Sequence, residues 1–162
     1  GFTSNVQDLK SIYFTYIRSI LEQSTVVWHS GLTTKNRRSL ERVQKAAVRV
    51  ILKQKYTNYK TGLSYLNLQS LEQRRELLCL IFAKKCLQNE KVKDMFPHKI
   101  SVHKMKKRRI KPFKENSTKT KRYGKSSIPY MQKLLNKDSE KKQRMMKIWD
   151  QFWWSLYPVN SK

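Results

Sequence analysis

Acidic residues are scarce in this chain: 11 Asp and Glu stand against 36 Lys and Arg in 162 residues, a formal charge of +25. Solubility needs far less, so the excess points to a polyanionic partner. Four Gly and four Pro exclude collagen-like, sandwich-rich and low-complexity architectures. Two cysteines give no disulfide framework. No apolar run reaches the roughly 18 to 20 residues of a membrane span, so no membrane partner is expected. The first 21 residues mix charge with amphipathic spacing and do not read as a signal peptide. A first residue of Gly rather than Met leads to the expectation of a fragment. What is present is enough apolar material, 38%, to bury a core.

Charge is unevenly placed. Residues 1–97 hold 17 basic and 7 acidic residues, whereas residues 98–147 hold 18 and 3; the last fifteen are neutral. Three regions follow: a helical body over 1–97, a basic irregular connector over 98–127 and a C-terminal helical segment over 128–162, together an all-α chain. Val6, Leu9, Ile12, Tyr13, Tyr16, Ile17, Ile20 and Leu21 draw one stripe at 3.6-residue spacing, predicting a helix over 6–22. A second helix is predicted over 34–53 with Thr34 as N-cap and Leu40, Val43, Ala47, Val50 and Ile51 as its apolar set. Arg38, Arg42, Lys45, Arg49 and Lys53 step by three and four and gather on the opposite face. Alternating Glu partners are absent along that row, which favours phosphate over a merely solvated face. A short helix is expected over 59–66. Another runs from Ser70, whose spacing to Gln73 makes a capping box, to about Asn89.

The connector has no helical period and carries Lys106, Lys107, Arg108, Arg109, Lys121 and Arg122, the pattern of a phosphate-attracting arm. Phe113 and Tyr123 within it either stack on exposed bases or anchor the arm. Lys106 to Lys111 also resembles a nuclear import signal, a pattern that arises easily in so basic a chain. Two terminal helices are expected, over 128–136 and 139–157; Met145, Ile148, Trp149, Phe152, Trp153 and Leu156 share a face, and Trp154 falls off it as a stacking candidate.

No catalytic constellation is legible. Asp8, Asp94, Asp138 and Asp150 are scattered, whereas two-metal phosphoryl transfer needs clustered carboxylates. Phosphate-binding glycine loops and a nucleophile elbow are missing. Cys79, Cys86, His98 and His103 mimic the order of a zinc finger. Seven residues of helix, however, separate the two sulfurs by about 10 Å along the axis, too far for one tetrahedral ion. They read as free thiols, with no metal and no cofactor expected.

Four blocks carry a resemblance. Ile12 to Trp28, Leu40 to Ile51 and Leu66 to Leu77 resemble the segment after the palm of non-LTR retrotransposon reverse transcriptases, and Arg122 to Asn136 is similar to their final block. They stand in the family's order, nearest to the jockey and CR1-like groups; where the family often has Tyr, this chain has Gln23. The resemblance implies the thumb and C-terminal extension of an RNA-directed DNA polymerase, without its endonuclease or paired catalytic aspartates. It implies a thumb helix gripping template and primer, with Arg38, Arg42, Lys45 and Arg49 as the natural grip. The expected partners are RNA or an RNA/DNA duplex and the palm of the same polyprotein, in the nucleus or cytoplasm, with no small-molecule substrate. The alternative is a helical protein-interaction module docking through the aromatic segment Trp149 to Tyr157.

Overall fold

The computed structural model describes residues 5–97, 112–115, 117 and 119–142 in full, and the backbone alone of 143–156. The described residues form an all-α protein: α1 Val6–Ile12, a π-helical turn Tyr13–Arg18, α2 Ser19–Glu22, α3 Thr25–Trp28, α4 Thr34–Leu52, α5 Tyr59–Tyr65, α6 Leu71–Gln88, α7 Lys121–Gly124 and α8 Ser127–Leu156. Short 3-10 turns follow α3 and α4 and precede Pro97. The chain divides into two compact units, Gly1–Phe82 and Ala83–Lys162, with the division inside α6.

In the first unit, α1 and α5 pack against α4. The core joins Tyr13, Val48, Ile51, Leu52 and Leu66, with Val6, Leu9, Phe14, Tyr56 and Leu63 around them. Each large side chain so buried contributes about 1.5–3 kcal/mol of transfer free energy. Gly62 is where α5 meets α4 most closely: a Cβ there would lie 2.7 Å from Val48 Cγ1.

The π turn explains one departure from the sequence. Helical backbone runs without a break from Val6 to Glu22, but i→i+5 bonding takes more residues per turn than 3.6. Tyr13 stays buried, while the downstream stripe slips outward and leaves Tyr16 67% and Ile20 71% exposed. In α4 the N-cap is Thr33 rather than Thr34, its hydroxyl accepting from the Asn36 amide at 3.2 Å. The capping box before α6 forms as predicted: Gln73 N–H donates to Ser70 Oγ, and Ser70 N–H to Gln73 Oε1.

In the second unit the two helices expected at the C-terminus are one helix of 30 residues, α8. The gap expected at Lys137 and Asp138 is absent, and beside it Asn136 has a tertiary partner. Its Oδ1 accepts from Phe113 N–H at 3.0 Å, and its Nδ2 donates to Phe113 C=O at 3.2 Å and to Glu115. Gln132 likewise donates to the Met95 carbonyl. Phe113, a stacking candidate by sequence, is 6% exposed and serves as an anchor instead. Asn136→Ala strands a buried backbone amide and carbonyl, so a loss of about 2 kcal/mol in a urea melt is expected. A loss below about 0.5 kcal/mol would show that the clamp is not needed.

Candidate nucleic-acid interface

The α4 sequence sets the row's geometry. Gln44, Val48, Ile51 and Leu52 turn inward, and Arg38, Arg42, Lys45 and Arg49 are all exposed. At 100° per residue the row lies about 100° from the mean buried direction, not opposite it. What lies opposite is apolar: Val43 is 42% and Val50 63% exposed, although both were expected in the core. The inward direction is taken instead by Gln44, whose Nε2 donates to the Gln69 carbonyl at 2.8 Å.

From Arg38 to Arg49 the row spans about 16 Å of helix. Among the described residues none of its four cations enters an ion pair. Arg37, one position away, behaves oppositely: it pairs with Glu72 at 2.7 Å and helps to seat α6. Arg49 is steadied by the Tyr56 ring, 5.3 Å from its guanidinium carbon. Lys53 is exposed but leaves the helical backbone, with φ 48° and ψ −120°, so the regular row has four members. Beside Arg38 a cleft of about 400 Å³ is lined by Leu32, Thr34, Arg37, Glu41 and Glu72.

The second unit contributes Lys121, Arg122 and Tyr123, all exposed on α7, which Thr120 caps by accepting from Tyr123 N–H. Lys106, Lys107, Arg108 and Arg109 lie outside the described residues, as do the side chains of Trp149, Trp154 and their neighbours. His98 and His103 also lie outside them. Cys79 is buried on α6, and burial pushes its thiol up to about 11; burial raises Cys86 as well. Both remain thiols at neutral pH. Among the described residues no three His, Cys, Asp or Glu side chains come together to hold a metal, and no helix is long and apolar enough to cross a membrane.

One polar group was missed in the sequence. Arg75 is fully buried, its guanidinium carbon 5.9 Å from the Trp28 ring, and its three nitrogens have no hydrogen-bond partner among the described residues. His29, also fully buried, is held down to about 4, by burial first and then by the positive fields of Arg75 and Arg37. Nothing in the Arg74-Arg75 dipeptide distinguishes the two. Arg74, half-buried, reaches Glu22 at 3.1 Å, and its neighbour is turned about 100° from it around the helix.

Comparison with protein-family models, with curated proteins and with solved structures finds no match to this chain.

Proposed function

We propose that the chain is a noncatalytic nucleic-acid grip, working on phosphate backbones through Arg38, Arg42, Lys45 and Arg49, with Lys121 and Arg122 as further contacts. The observation that carries this reading is the unpaired, solvent-facing row on α4. Four like charges spaced along one helix repel each other at some cost in stability, a cost that phosphates would reverse. In the terms of the resemblance, this is the thumb of a retroelement reverse transcriptase holding template and primer in the nucleus or cytoplasm. Contacts to phosphate position a nucleic acid without reading its sequence.

Anisotropy titration of the full chain with a duplex of about 20 base pairs tests it. If six phosphates are neutralised, affinity falls roughly 10³-fold between 50 and 200 mM salt. A flat salt response would exclude the grip.

A second reading, docking onto a protein such as the palm of the same polyprotein, is favoured by the exposed apolar residues Ile12, Tyr16 and Ile20. Self-association or palm capture that survives nuclease treatment would support it.

A further inference from the structure

We infer that α8 carries a second phosphate-contact row, formed by Lys133, Lys137 and Lys141. No long charge run gathers these residues: they are spread among apolar, polar and acidic neighbours, with Lys142 alone adjoining the row. Their spacing of four brings them onto one line of the helix, and all three are exposed. Among the described residues, the side chains that α8 buries are Pro129, Met131, Gln132, Leu135 and Asn136. At 100° per residue their mean direction lies about 150° from the mean of the lysine row. The row therefore faces away from the residues that α8 buries.

Two acidic residues share this stretch, and neither forms an ion pair with the three lysines. Asp138 is engaged by Lys84 at 2.7 Å. Glu140 is half-buried and enters no ion pair among the described residues; nor does any of the three lysines. Successive ammonium groups advance about 6 Å along the helix, close to two phosphate steps of one strand at about 3.4 Å each along a duplex axis. Lysine supplies a point charge rather than a bidentate fork, so the row suits a backbone whose phosphates are met in any register. Exposed Lys121, Arg122 and Lys125 precede α8 in the same unit. The second unit thus holds a nucleic-acid contact of its own, resting on the same ligand class as the α4 grip but on different residues.

The test is the slope of log affinity against log salt for the full chain, with a duplex of about 20 base pairs and with oligothymidylate of similar length. The combined change Lys133→Gln, Lys137→Gln and Lys141→Gln should make the slope shallower by about 2 for the single strand and about 2.7 for the duplex. The single change Lys137→Gln should take off about a third of that, and the triple change to Arg should restore the wild-type slope. An unchanged slope in both glutamine variants overturns the α8 row while leaving the α4 grip standing. Weakened binding to polyglutamate with unchanged nucleic-acid binding also overturns it, in favour of an acidic protein partner. A flat salt response already present in the unsubstituted chain overturns both rows together.

Discussion

Changing Arg38, Arg42, Lys45 and Arg49 together to glutamine should weaken duplex binding roughly 10³-fold at about 0.1 M salt. Each neutralised phosphate releases about 0.9 of a counterion, so each contact is worth nearly a decade of affinity at that concentration. Four contacts amount to about 4–5 kcal/mol, since a decade is about 1.4 kcal/mol. The fold should survive, because all four side chains are exposed and none enters an ion pair among the described residues. Arg49 also leans on Tyr56, an exposed cation–π contact of about 0.5–1 kcal/mol, so a small drop in thermal midpoint accompanies the loss of affinity. Circular dichroism should show unchanged helix content. Full affinity in a folded variant would reduce the row to a solvated surface.

Arg75→Met should raise the stability of the chain by about 1–3 kcal/mol in a urea melt, whereas Arg75→Ala should lower it. The guanidinium is fully buried, with three nitrogens lacking a hydrogen-bond partner among the described residues. A buried charge without direct partners costs several kcal/mol, and an apolar side chain of similar length removes that cost while filling the same space. Alanine removes the cost but leaves a cavity.

His29 supplies a second readout of the same site. Its folded value near 4 lies below the ordinary 6.5. Between those pH values the unfolded chain takes up a proton that the folded chain refuses, so stability falls as the pH drops from about 6.5 to about 4. The loss approaches about 3 kcal/mol in the wild type. It should shrink in Arg75→Met, because a positive neighbour that depresses His29 has gone. Destabilisation by Arg75→Met with an unchanged pH profile would contradict this account of the buried charge.

The class of fold was legible in the sequence because helix signals are local. Apolar spacing located α4 and α6 closely, and the Ser70–Gln73 capping box is present atom for atom. What was illegible depended on distant partners or on a change of helical pitch. The π turn at Tyr13–Arg18 moved Tyr16 and Ile20 from an expected core to the surface. The continuity of α8 past Asn136 was not legible either, nor was the clamp between its side chain and Phe113, 23 residues earlier. Within the candidate site, the α4 row needed only its own helix and so was visible as a stripe. Its true neighbours were not, because burial of Gln44 in place of Val43 depends on the Gln69 carbonyl. Arg75 was hidden for the same reason: only the packing of Trp28 against α6 separates it from half-buried, ion-paired Arg74.

The central claim is that cations on α4 hold phosphates, and the salt slope of duplex binding, compared between the wild type and the four-glutamine variant, tests it most directly. A slope shallower by about 3.6 in the variant than in the wild type is the predicted result, since four contacts of about 0.9 counterion each disappear. Parallel lines for the two proteins would contradict it, because the α4 row would then release no counterions on binding.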